Sequence, residues 1–183
     1  MINPDFTRTM SKCFRSSLQE AMGHSFKGMR QEIRSAQNDH HFGDESIVLT
    51  VSSHMFKIIV VLDFDLKSAE GQVAKMGNNR GQNDQTEHCR DYLLELTNYF
   101  CGEIKRRLLA FERYVGISTP NLLAKSSSIH VADINYDWDT CVSINLDNVD
   151  FLYASCYLFV YGELEYTFDE IAENVESGTL ELF

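Results

Sequence analysis

Apolar residues change their period several times along the chain, and each change marks an element. Phe6, Met10, Phe14, Leu18 and Ala21 recur every three or four residues, with Arg8, Lys12 and Arg15 on the other side. That spacing predicts an amphipathic helix ending near Gly23. Residues 35–45 lack periodicity and read as a loop, after which Ser46–Val51 and Met55–Phe64 read as paired strands across Ser52-Ser53-His54. The second run, Ile58-Ile59-Val60-Val61-Leu62, is apolar on both faces. A strand covered by helices on one side and by sheet neighbours or a partner chain on the other has this pattern. Ser68 is expected to cap a short helix through Met76.

From Gly77 to Thr86 no side chain is apolar, which predicts an exposed loop. Helical spacing returns from Glu87 to about Phe111, with Asp84 or Thr86 available as amino-terminal cap. Leu93, Thr97, Phe100, Ile104, Leu108 and Phe111 share one arc of this helix, while Asp91, Glu95, Asn98 and Gly102 form a line along the opposite face. With the first arc on the core, Glu95 and Asn98 must point outward. Val115-Gly116-Ile117-Ser118-Thr119-Pro120 ends the helix and starts an extended stretch, since a residue before proline avoids helical dihedrals. Further strands are expected at Ser128–Ile134, Thr140–Leu146 and Phe151–Val160, the last two joined by a turn at Asp147-Asn148. This order is that of an α+β fold, not of an alternating βαβ series.

Length and charge narrow the function classes. The 183 residues fit one domain, here 1–183, with 161–183 as an acidic extension: that segment holds seven acids and no Lys or Arg. Formal net charge is -11, which makes duplex nucleic acid a poor partner, because such affinity rests on cations neutralising phosphates. No apolar run reaches the ~18 to 20 residues that cross a bilayer, so no membrane span is expected. The start, Met1-Ile2-Asn3-Pro4-Asp5, lacks the features of a secretory signal, and five scattered cysteines read as reduced thiols of a cytoplasmic protein.

The outward line on the long helix carries the candidate chemistry. Glycine inside a helix costs ~1 kcal/mol against alanine, so Gly102 implies that something approaches the backbone closely there. Asn98 is also a mediocre helix former on a face where better ones would fit. Asp91-x-x-x-Glu95-x-x-Asn98-x-x-x-Gly102 resembles the signature of the CheC, CheX and FliY family of chemotaxis phosphatases. Ile117-Ser118-Thr119-Pro120 matches the Ile-Ser-x-Pro strand that follows this helix in that family. With one such helix rather than two, the chain looks like the CheX type.

The resemblance implies a CheC-like fold, a mostly antiparallel sheet carrying an amino-terminal helix and a long, exposed, site-bearing helix. It implies hydrolysis of the aspartyl phosphate of a CheY-type response regulator receiver domain, with Glu95 and Asn98 as the catalytic pair. Asn98 would position the attacking water and Glu95 would anchor a receiver lysine; Asp91, Gly102, Lys105 and Arg106 would contact the partner. No cofactor is expected on this chain, since Mg2+ would be held by the phosphorylated receiver's own acids. A homodimer is expected as well, because Met55–Phe64 and Phe151–Val160 would leave adhesive sheet edges if unpaired. The alternative reading is a non-catalytic module that binds a receiver, or a dimeric signalling scaffold.

Other signals point nowhere in particular. His24, His54, His88 and His130 lack the spacing of a zinc site, and His40-His41 fall in a loop. His88-Cys89 are adjacent, so on a helix they diverge by roughly 100° and do not form a nucleophile pair. Gly77-x-x-x-Gly81 is followed by Gln82 and is no P-loop. Tyr136, Trp138 and Tyr157 are expected in the core or at a dimer contact.

Overall fold

The structure, a computed structural model, describes residues 4–37, 43–76, 82–110, 112–124 and 134–162. Helix α1 (Pro4–Ser25) precedes strands β1 (Gln31–Ala36), β2 (Glu45–Ser52) and β3 (Phe56–Phe64). Helices α2 (Leu66–Ala74) and α3 (Gln82–Leu108) follow, then β4 (Gly116–Ile117), β5 (Asn121–Ala124), β6 (Trp138–Leu146) and β7 (Val149–Val160). The strands form one antiparallel sheet in the order β1-β6-β7-β3-β2-β4, with β5 also on β2. This is the α+β architecture the order of elements predicts.

The expected apolar face of α1 is the one buried: Phe6, Met10, Phe14, Leu18 and Ala21 are all 3% exposed or less. They join one core with alternate residues of the sheet, among them Ile58, Val60, Leu62, Val142 and Ile144. Gln31 closes the end of α1, its side-chain amide donating to the carbonyls of Met22 and Phe26, each at 3.0 Å. The Met22 carbonyl also accepts from the Phe26 amide at 2.8 Å and the Phe26 carbonyl from the Met29 amide at 3.3 Å, so the Gln31 amide adds a second donor to each and ties β1 to the end of the helix. On the sheet's opposite face a smaller cluster gathers Val61, Tyr157 and Phe159, with Val48 and Ile59 against it.

Several expectations shift. The strand Gln31–Ala36 replaces the start of the predicted loop, because its hydrogen bonds to β6, not its own residues, make it a strand. The cap of α2 is Asp65, whose carboxylate accepts from the Ser68 amide at 2.8 Å; Ser68 is an interior residue whose hydroxyl donates to Asp150. Helix α3 begins at Gln82, so Asp84 and Thr86 lie within it rather than before its first residue. Thr86 instead donates to Glu70 of α2, and Arg90 makes a two-point contact with Glu45 of β2, its Nε at 2.9 Å. Asp147 and Asn148 take φ of 50° and 64°, the turn that joins β6 to β7 with the right twist.

The two strands expected at edges are interior. β3 lies between β2 and β7, and β7 between β3 and β6, so their apolar character reflects burial on both faces. Neither strand therefore offers a free edge to a second copy; among the described residues the edges are β1 and the short β4 and β5. The expected strand Ser128–Ile134 lies, but for Ile134, outside the described residues, as do the loop 77–81, His40, His41, His130, Phe111 and the acidic segment from Glu163 onward.

Phe100 is fully buried in α3 and meets Phe14 of α1 edge-on, with ring centroids 5.2 Å apart. Phe100→Ala is expected to lower unfolding free energy by about 3–5 kcal/mol in urea titration, since the cavity lies between the two helices and the sheet.

Candidate functional site

Helix α3 is oriented by what its inner face buries. Cys89, Leu93, Leu96, Thr97, Phe100, Cys101, Ile104 and Leu108 are all 3% exposed or less. Thr97 satisfies its hydroxyl within the helix, donating to the Leu93 carbonyl at 2.7 Å, so a polar residue sits there without an orphan donor. With that arc fixed, Asp91, Glu95 and Asn98 are exposed and Gly102 is half-buried on the other side, within an arc of roughly 60°. Neither Glu95 nor Asn98 has a hydrogen-bond partner among the described residues. A Cβ built on Gly102 meets nothing within 4 Å. The protein's own packing therefore gives no reason for glycine at that point.

Helix α1 runs antiparallel beside α3 and borders this line. His24 stacks on Tyr99, with centroids 4.7 Å apart and planes 12° from parallel. The Tyr92 hydroxyl donates to the Ser25 carbonyl, and its ring meets Phe26 edge-on. Burial, with Glu103 and Glu20 adding to it, raises the Tyr99 hydroxyl above its ordinary pKa. Burial likewise raises that of Tyr92, with a smaller push from Glu95. Both remain neutral hydrogen-bonding groups rather than bases.

The cations at the far end of the line divide. Lys105 is half-buried and carries no ion pair among the described residues. Arg106 is held between Glu103 on its own helix and Glu20 on α1, with contacts of 3.0 Å to the first and 3.2 Å to the second. Arg107 joins the same Glu20 at 2.7 Å and Ser17 at 3.1 Å. Arg106 thus already serves as a bridge between helices, and would have to exchange a partner to grip anything else. Sequence reasoning missed this pairing, along with His24 and Tyr99, because nothing in the sequence shows how α1 aligns with α3.

The remaining nucleophile and metal candidates are inert or dispersed. Cys89 is buried, and its thiol is pushed up to about 12, first by burial and then by Glu70 and Glu45. Cys13 is pushed up to about 11 for the same leading reason. Among the described residues no three His, Cys, Asp or Glu side chains are placed to hold a metal, and no helix is long and apolar enough to cross a membrane. Tyr157 lies in the small cluster on the sheet's far face and meets Tyr136 edge-on at 5.2 Å.

No protein-family model and no curated protein matches the chain. Solved structures do. A chain from the crystal structure of the CheX-CheY-BeF3-Mg2+ complex of Borrelia burgdorferi superposes with a TM-score of 0.63 at 10% identity, over 81% of this chain and 96% of that one. The chemotaxis protein CheX of Vibrio vulnificus gives 0.60 at 16% identity, over 82% and 99%. A CheC-like superfamily protein of Shewanella sp. PV-4 gives 0.57 at 16% identity, over 86% and 99%. At such identities the likeness is one of architecture, and it extends across nearly the whole of each matched chain. An amino-terminal helix, an antiparallel sheet and a long helix packed on it give this chain the CheC-like fold of those CheX and CheC-like structures.

Proposed function

We propose that this protein hydrolyses the aspartyl phosphate of a CheY-type receiver domain, with Asn98 positioning the attacking water and Glu95 anchoring a receiver lysine. The observation that carries this reading is the outward projection of a carboxylate and an amide, unpartnered and one turn apart, beside a helix glycine with open space over it. The Borrelia structure, in which CheX is in complex with CheY, supports a receiver as the partner class.

Phosphoryl transfer to water passes through a loose transition state, so positioning and charge stabilisation do most of the work and a strong base is not required. The Asn98 carbonyl oxygen accepts a hydrogen bond from the water and holds it in line with phosphorus. As the new P–O bond forms, the bond to the aspartyl oxygen breaks, the aspartate departs as a carboxylate, and inorganic phosphate leaves carrying both of the water's protons. Glu95, about 4.5 Å along the helix axis from Asn98, fixes the docking register through the receiver's cation. Asp91 lies at the near rim, Gly102 lets the receiver approach the backbone, and Lys105 faces acidic receiver surface. Arg106 joins them only by leaving Glu20. Mg2+ belongs to the receiver, where it neutralises the phosphoryl oxygens.

Asn98→Ala is expected to slow receiver dephosphorylation about 100-fold or more in a stopped-flow or phosphate-release assay, with unfolding unchanged because the side chain is exposed. Equal rates for this variant and the parent protein would sink the assignment. Loss of phosphate at substoichiometric amounts of this protein separates turnover from simple binding. Gly102→Ala gives a second check with opposite signs. Chemical denaturation is expected to show about 1 kcal/mol more stability, since alanine is the better helix former and its methyl meets nothing. The apparent KM for the phosphorylated receiver is expected to rise, because the methyl occupies the space the partner needs.

A further inference from the structure

The polar line does not end at Gly102. Lys105 follows it on the same face, and the Leu109 amide donates to the Lys105 carbonyl at 2.9 Å, continuing the helical turn. Leu109 lies seven residues, or two turns, beyond Gly102, which returns it to the same line. There it is 43% exposed. The sequence along the face is therefore acidic at Asp91 and Glu95, neutral at Asn98 and Gly102, cationic at Lys105 and apolar at Leu109.

A second exposed apolar group follows five residues later in the chain. Tyr114 is 78% exposed, more than any other large hydrophobic side chain among the described residues. Its backbone is nonetheless tied down. The buried Glu112 carboxylate accepts from the Tyr114 amide at 3.2 Å, the Glu112 amide donates to the Leu108 carbonyl at 2.9 Å, and Val115 is 6% exposed. An exposed tyrosine on a fixed backbone is a preorganised anchor, since little ordering cost remains for a partner to meet. Single exposed apolar residues, such as Val149 at the β6–β7 turn, need no such account. Leu109 and Tyr114 differ in lying five residues apart in the chain, directly after a line of graded charge.

We infer that Leu109 and Tyr114 form an apolar anchor for the receiver, about 21 Å along α3 from Glu95, so that the docking surface spans the whole exposed length of the helix from Asp91. This rests on the receiver-phosphatase reading above and adds the partner's layout to it. That partner presents a cation where it meets Glu95, an acidic group near Lys105, and an apolar patch beyond. A separation of this size fits within one standard interface of roughly 800 Å² per partner. The charge gradient fixes which way round the receiver sits, because the reversed pose would set its cation against Lys105 and its apolar patch against Glu95.

The test uses the full-length protein and a CheY-type receiver phosphorylated with a small-molecule phosphodonor. Initial rates against receiver concentration give KM and kcat, and binding is measured separately with the BeF3-activated, Mg2+-loaded receiver. The double variant Leu109→Ser, Tyr114→Ala is expected to raise KM and Kd about tenfold or more while kcat stays within about twofold, because the anchor lies far from the reacting atoms. Val149→Ala, exposed at the hairpin turn, is expected to change neither. Unchanged KM and Kd in the double variant, with a parent protein that turns over normally, would overturn the anchor and leave the phosphatase reading standing. A parent protein that neither binds nor dephosphorylates any receiver of its own cell would overturn both. Should the double variant unfold, Tyr114→Ala and Leu109→Ser are measured singly, each expected to raise KM severalfold.

Discussion

One packing constraint organises the molecule: the inner arc of α3 must be buried against α1 and the sheet at the same time. Phe100 meets Phe14 on one side, and Leu93, Leu96 and Ile104 join the core that rests on β2 and β3. A helix has a single orientation that hides such an arc. The outward position of Glu95 and Asn98 is therefore a by-product of burying apolar surface elsewhere on the same turns. Among the described residues, no hydrogen bond or ion pair made by those two side chains holds them in place. The proposed chemistry borrows rigidity from the core, which is how a positioning catalyst can work with so few groups.

The polar contacts around α3 act at its flanks. Thr86 and Arg90 tie its first turns to Glu70 and Glu45, while Arg106 and Arg107 share Glu20 on α1. Each of these pairs is at least partly open to water and contributes little to stability alone. Their arrangement has another effect. Most of the cations on α3 are already satisfied within the chain, and Lys105 is left beside the outward line.

What the sequence disclosed follows from which forces it encodes locally. Periodic burial is local, so the inner arc of α3, the face of α1 and the β6–β7 hairpin at Asp147-Asn148 were all legible. Pairing is not local. Gln31–Ala36 contains one strongly β-favouring residue, Ile33, and becomes a strand only because β6 lies beside it. Gln82–Thr86 looked like a loop because it lacks apolar residues, yet it is the start of α3, and Thr86 finds its partner, Glu70, on α2. The apolar strands β3 and β7 invited an edge assignment, because burial on two faces and exposure at an edge look alike in one dimension. At the site, the spacing of Glu95, Asn98 and Gly102 was readable from the helix repeat alone. The stack of His24 on Tyr99 and the capture of Arg106 by Glu20 were not, since both depend on the alignment of two helices eighty residues apart in the chain.

The interior placement of β3 and β7 has a mechanical corollary. Among the described residues, the borders of the sheet are β1 at one side and β4 with β5 at the other. A second molecule recruited at either border would lengthen the sheet sideways, within its own plane, and the helix layer would stay uncovered. Self-assembly and capture of a signalling partner would then draw on separate surfaces, so that either property could drift in evolution without dragging the other along.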